Sequence, residues 1–172
     1  MNSLKAPKAA IVMGSDSDLP VLKSCIKLLK EFGVETETMV CSAHRTPQKA
    51  SAFAENAELN GIEVIIAAAG KAAHLPGVLA AFTPLPVIGI PVKSSTMDGL
   101  DSLLSIVQMP AGIPVATVAI DGAENAALLA VQILSGAHPE LRTKMKEYKK
   151  GLAAKVELKN AELQKKLAEE GL

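Results

Sequence analysis

Two hydrophobic periods alternate along the chain. KAAIVM, residues 8 to 13, is a short apolar run closed by the polar GSDSD, and LPVLKSCIKLLKEFG then carries apolar residues at 22, 25, 26 and 29. The first predicts a strand, the second an amphipathic helix. Ser17 or Asp18 stands where a cap is needed, Pro20 suits the first turn and Gly33 the end. The unit then recurs. ETETMV (35–40) reads as a strand, SAHRT as a turn, and PQKASAFAENAELNG as a helix with Thr46 as cap, Pro47 at its first position and Gly61 at its end. EVIIAAAG (63–70) is a third strand, apolar throughout as expected of a strand covered on both faces. KAAHLPGVLAAF reads as a loop and short helix, PVIGIPV (86–92) as a fourth strand, DSLLSIVQM (101–109) as a helical segment, PVATVAI (114–120) as a fifth strand and ENAALLAVQILSG (124–136) as a helix.

Strands that alternate with helices pair in parallel through right-handed crossovers, which predicts an α/β fold: a three-layer α/β/α sandwich, Rossmann-like, with a central parallel sheet. In such a sheet ligands bind outside the carboxyl ends of the strands, where the strand order reverses, so the turns after the first three strands are where a site is expected. Beyond residue 138 the composition shifts to Lys, Glu, Leu and Ala, a charged helical tail suited to solvent or subunit packing. The 172 residues are expected to form one domain, with a core of about 8–137 and a helical extension of about 138–172.

Composition narrows the partners. Lys plus Arg equals Asp plus Glu at 18 each, and aromatics are 2% with no Trp, so neither a phosphate-tracking face nor base-stacking platforms are evident and nucleic acid is not expected. The most apolar region, 62–92, is broken by Lys71, His74 and prolines, too often to span a bilayer. The opening MNSLKAPK has no apolar signal-peptide core, and a cytoplasmic protein is expected. Cys25 and Cys41 have no paired spacing and each lies in an apolar pattern, which predicts buried thiols.

The chemistry gathers in the three turns. MGSDSD places Ser15, Asp16, Ser17 and Asp18 where a helix begins; its free N–H groups suit an oxyanion, whereas the carboxylates suit sugar hydroxyls or an amine. Taken alone these residues are read first as turn formers and helix caps. The second turn adds Ser42, His44 and Arg45: a guanidinium fork for phosphate beside the side chain best able to exchange a proton near neutral pH. The third, GKAAHLPG, adds Gly70, expected to permit close backbone approach, with His74 next to Leu75 and Pro76. His138, after the last helix of the core, stands alone and is read as a helix or loop residue. No metal-ligand spacing, GxGxxG, P-loop or GxSxG elbow is present.

MGSDSD, SAHRTP, AAGKAAHLPG and SLLSIVQMPAGIPVATVAI, in that order and spacing over roughly residues 8 to 150, closely resemble the PurE family, the catalytic subunits of phosphoribosylaminoimidazole carboxylase. AAHLPG and SIVQMP resemble its class I form. The resemblance implies a flavodoxin-like fold, a homo-octamer, no metal or organic cofactor, and N5-carboxyaminoimidazole ribonucleotide mutase activity in purine biosynthesis, dependent on an ATP-driven synthetase upstream. It implies that His44 is the general acid and base and that Ser15 and Asp18, with Asp16 and Ser17, bind substrate. Ser42 and Arg45 would hold the 5'-phosphate, and Gly70, Lys71, Ala72, His74 and Leu75 would wall a pocket for carbon dioxide. Many class I members carry a second glycine where this chain has Lys71. A direct aminoimidazole ribonucleotide carboxylase on the same fold and a non-catalytic sensor of phosphoribosyl ligands are the alternatives; a sensor needs the phosphate grip but not His44.

Overall fold

The structure, a computed structural model, describes residues 6–172; the first five residues of the opening, read above for a signal-peptide core, lie outside the described residues. Strands β1 (Lys8–Met13), β2 (Glu35–Val40), β3 (Val64–Gly70), β4 (Val87–Val92) and β5 (Ala116–Thr117) form one parallel sheet in the order β2-β1-β3-β4-β5. This is the flavodoxin-like order, in which successive strands build first to one side of β1 and then to the other. The switch point lies between the carboxyl ends of β1 and β3.

Helices cover both faces. Side chains of α1 (Leu19–Phe32) and α5 (Ala123–Leu134) join Ile11, Ile66 and Ile90 in one buried cluster, while those of α2 (Pro47–Asn56), α3 (Leu75–Phe82) and α4 (Leu100–Val107) join Val12, Ile65 and Ala67 in another. Neighbouring residues on β1 and β3 therefore feed opposite layers, the period of two that a pleated strand imposes. Each fully buried Ile, Leu or Val contributes about 1.5–3 kcal/mol relative to exposure, and both cysteines lie in these clusters. Burial pushes the Cys25 thiol up to about 12, far from thiolate chemistry.

The first four strands match the sequence reading apart from Glu63 and Pro86, which precede β3 and β4. The fifth does not: of 114–120 only Ala116 and Thr117 pair, with Ile88 and Gly89. The cause lies in β4. Gly89 and Pro91 turn their carbonyls to this edge and accept from Val118 and Asp121 at 3.1 and 2.8 Å, but Pro91 has no N–H to return and the ladder stops. The second helix also ends sooner than expected, at Asn56, and continues as hydrogen-bonded turns to Gly61, whose φ of 75° finishes it.

The charged tail is a single helix, α6 (Pro139–Glu170), whose buried residues, among those described, lie in its first turns. Leu141 and Met145 are buried, Tyr148 packs at 5.7 Å on Phe32, and the Lys144 ammonium donates to the Phe32 carbonyl at 2.6 Å, serving the last turn of α1. His138 sits at the N-cap position of α6, its Nε2 2.8 Å from the Glu63 carboxylate, so it ties the tail to the start of β3 at the end of the sheet opposite the switch point. Among the described residues no helix is long and apolar enough to cross a membrane.

Gly89 shows how closely α4 lies on the sheet. A Cβ there would stand 2.5 Å from Ile106 Cγ2 and 3.1 Å from Val115 Cγ1. Gly89→Ala is expected to destabilise the protein by about 1–3 kcal/mol through overpacking, seen as a lower urea midpoint; an unchanged midpoint would show that α4 has room to move.

Candidate active site

At the end of β1 the chain is still held by the sheet, because the Gly14 N–H donates to the Ala68 carbonyl at 3.1 Å. Ser15 then caps a short 3-10 turn, Asp16–Asp18. Its hydroxyl accepts from the Ser17 N–H at 3.3 Å, and the Asp18 carboxylate accepts from the Ser15 N–H at 3.2 Å. The side-chain cap is therefore Ser15, not Ser17 or Asp18; Asp18 holds the position before α1 without capping it. Asp18 is only 8% exposed. Burial raises its carboxyl above the ordinary range, the bonds from Ser15 and Ser17 counteract this by favouring the anion, and the charge of Asp16 adds to the rise.

The second turn begins the same way, with the Cys41 N–H donating to the Met13 carbonyl at 2.9 Å. Thr46 stands at the N-cap position of α2 but turns its hydroxyl backward, donating to the Ser42 carbonyl at 3.0 Å and accepting from the Ser42 N–H at 3.1 Å. The Ser42 hydroxyl accepts from the Arg45 N–H at 3.2 Å, and this closed turn presents His44 and Arg45 outward. The Arg45 guanidinium donates to the Gly14 carbonyl at 3.0 Å, joining the first two turns.

His74 precedes α3 and faces His44, with Nε2 of His44 2.8 Å from Nδ1 of His74 and the rings nearly perpendicular at 82°. At that distance one ring must donate and the other accept, so at most one of the two facing nitrogens carries a hydrogen. The pair is a positioned proton donor and acceptor, built from residues 30 apart in sequence.

Lys71 follows β3 with φ 56°, a left-handed conformation costing a side chain about 1–2 kcal/mol. The Lys71 N–H donates to the Ser102 hydroxyl at 2.8 Å, which itself donates to the Val92 carbonyl at 2.9 Å. Gly70 is not required by contact, since a Cβ there would lie 3.6 Å from the Val92 carbonyl, an ordinary distance.

These turns surround one cavity of about 500 Å³. Ser15, Ser17, Asp18, Ser42, His44, Arg45, Gly70, Lys71, Ala72, His74 and Leu75, all singled out in the sequence, line it. Asp16 does not; it borders an adjoining depression with Arg45 and Lys49. The end of β4 supplies a stretch that sequence reasoning missed, Val92 to Ser95. Its signal was present: KSST follows PVIGIPV as abruptly as GSDSD follows KAAIVM, and parallel strands place all their carboxyl ends on one edge. Asp98 pairs with Lys93 at 2.8 Å and, by accepting its hydrogen bond, holds that ammonium above its ordinary value.

Residues 8–155 match the family described as AIR carboxylase. The chain belongs to the AIR carboxylase family. The match takes in every turn around the cavity and the first half of α6. An N5-carboxyaminoimidazole ribonucleotide mutase of Pyrococcus horikoshii is 60% identical, over 92% of this chain and 89% of that protein. A phosphoribosylaminoimidazole carboxylase of Saccharomyces cerevisiae is 56% identical over 86% of this chain, which corresponds to 26% of that protein. Among solved structures, Treponema denticola PurE superposes with a TM-score of 0.83 at 31% identity, covering 91% of this chain and 98% of that one. The AIR carboxylase family fold thus accounts for the sheet and for the position of the cavity at its switch point. Among the described residues no group of three or more His, Cys, Asp or Glu side chains is gathered as a metal site.

The raised carboxyl of Asp18 has a definite sign. A folded value above the unfolded one makes the folded state bind the proton more tightly, so this contribution is complete below the ordinary 3.8 and is lost as pH rises through the folded value. Asp18→Asn removes that dependence while keeping an oxygen to accept from Ser15. Urea unfolding between pH 4 and 7 is expected to show the parent losing stability relative to the variant as pH rises; a constant difference would mean that burial does not govern this group.

Proposed function

We propose that this chain acts as an N5-carboxyaminoimidazole ribonucleotide mutase, an isomerase of purine biosynthesis that moves a carboxylate from the exocyclic nitrogen to ring carbon 4. The observation that carries the reading is the gathering of the His44–His74 pair, the Arg45 fork and the Ser15–Asp18 turn around one cavity at the switch point. The 60% identity to a protein named as this mutase supports it.

The reaction sets a problem of proton placement. When the bond between nitrogen and carboxylate breaks, carbon dioxide is released and the nitrogen takes a proton; when carbon 4 attacks carbon dioxide a new carbon–carbon bond forms and carbon 4 gives up its proton. No proton is gained or lost overall, so a single residue that first gives and then takes one suffices. His44 fills that role, with its ring oriented by His74. Arg45 and Ser42 hold the 5'-phosphate, with Ser15, Ser17 and Asp18 in contact with the ribose end and Asp16 at its outer edge. Gly70, Lys71, Ala72, His74 and Leu75 enclose the carbon dioxide between the two half-reactions, where retention in reacting distance is worth more than any added contact.

The same reading takes residues 1–172 as one unit, working in the cytoplasm after an ATP-dependent synthetase and assembling as a homo-octamer. The exposed apolar side chains Leu100, Leu104 and Val107 of α4 and Leu152, Val156 and Leu163 of α6 support burial against further copies.

The experiment is an ultraviolet assay with N5-carboxyaminoimidazole ribonucleotide and, in parallel, aminoimidazole ribonucleotide with bicarbonate. Much more efficient conversion of the first establishes the mutase, preference for the second a direct carboxylase, and silence with both despite binding a sensor. His44→Asn is expected to abolish turnover while leaving binding of the product nucleotide measurable by calorimetry; substantial residual turnover would remove His44 from the proton-transfer role.

A further inference from the structure

The cations lining the cavity stand on two sides of β1. In the strand order, Arg45 follows β2 on one side, and Lys71 and Lys93 follow β3 and β4 on the other. Their engagements differ. Arg45 rests on the Gly14 carbonyl, and Lys93 is 2.8 Å from the Asp98 carboxylate. Among the described residues the Lys71 ammonium has no carboxylate within 4.0 Å. A substrate of the class read above has two anionic groups, a phosphate at one end and a carboxylate at the other.

The backbone of Lys71 is held with unusual thoroughness for an exposed residue. Its N–H donates to Ser102, its carbonyl accepts from the Ala73 N–H at 2.8 Å and lies 3.4 Å from the Ser105 hydroxyl. Ser102 is 0% exposed, and its one hydroxyl both accepts from the residue after β3 and donates to the last residue of β4. A glycine would occupy φ 56° without strain, so a lysine found there, and clamped there from a neighbouring helix, argues for a task at the side chain.

We propose that Lys71 is the cation that holds the substrate's carboxylate at the β3 side of the cavity, and that Ser102 is the positioning residue that keeps it in its left-handed conformation. The inference rests on the ribonucleotide reading for the identity of the ligand, but it concerns affinity for a carboxylate and not turnover. Lys71 distinguishes the carboxylated nucleotide from its decarboxylated form, while Arg45 engages both through the phosphate.

The test is calorimetric titration of the full chain with 4-carboxy-5-aminoimidazole ribonucleotide and with aminoimidazole ribonucleotide, which differ only in the carboxylate. In Lys71→Met the preference for the carboxylated nucleotide is expected to fall about fivefold, the upper end of what one solvent-facing ion pair supplies, with affinity for the decarboxylated one changed less than about twofold. Lys71→Gly is expected to lose the same preference while raising the melting temperature. Ser102→Ala is expected to reduce the preference in the parent but not in the Lys71→Gly background, whereas a merely structural serine would weaken both nucleotides alike in either background. An unchanged preference in Lys71→Met, or equal weakening of both nucleotides, overturns the proposal. Absence of turnover by the parent would instead overturn the mutase reading and leave the carboxylate preference to be read from the same titrations.

Discussion

Burial of β1 and β3 on both faces is the constraint from which the rest of the molecule follows. Every residue from Ala9 to Val12 and from Val64 to Ala68 is 0% exposed, so their peptide groups have no water to turn to and must be paired along the strands. Parallel pairing meets that demand only if helices carry the chain back across each face, and each return brings the next strand out at the same edge. The bonds from Gly14 to Ala68 and from Cys41 to Met13 extend the pairing one step past the strands, so the loops start from fixed points. Small residues matter here: with Ala at 9, 10, 67, 68 and 69 the helices approach closely, and Gly89 lets α4 rest on the backbone itself.

The polar edge stands on this apolar platform and departs from its rules. Asp18 is a buried carboxylate, Lys71 a lysine in a left-handed turn, and two histidines share a short contact. Each is a local cost that the surrounding bonds oppose: the Ser15 N–H for Asp18, Ser102 for Lys71, the closed turn of Ser42 and Thr46 beneath His44. Departures of this kind gathered in one cavity are characteristic of a functional site, because the interactions needed by a substrate are not those that would best stabilise the empty protein.

Period and punctuation carried the sequence reading a long way, and its failures have physical causes. β1 and β2 were legible to the residue because Pro7 and Gly14 bracket the first, while Gly33 precedes the second and the polar turn from Ser42 follows it, and eleven cavity residues were legible because polar residues following an apolar strand in a parallel sheet have one place to go. The fifth strand was over-read because PVATVAI has the composition of a strand whether or not its neighbour can pair with it, and Pro91, more than twenty residues earlier, withdraws the donor. Ser17, Asp18 and Thr46 were read as caps from position alone, whereas Ser15 and a backward-turned Thr46 hydroxyl reflect side-chain rotation, which no spacing records.

The sequence alone determined the strand–helix alternation, the two-sided burial of the sheet, the edge at which polar residues must gather and, by resemblance, the family; these depend on local period and on composition, which are written along the chain. Tertiary structure alone decided that His44 meets His74 across 30 residues, that β4 joins the site, that Ser102 clamps Lys71, and that His138 pairs with Glu63. These depend on distances between atoms remote in sequence, and such distances exist only once the sheet has set the spacing of its strands.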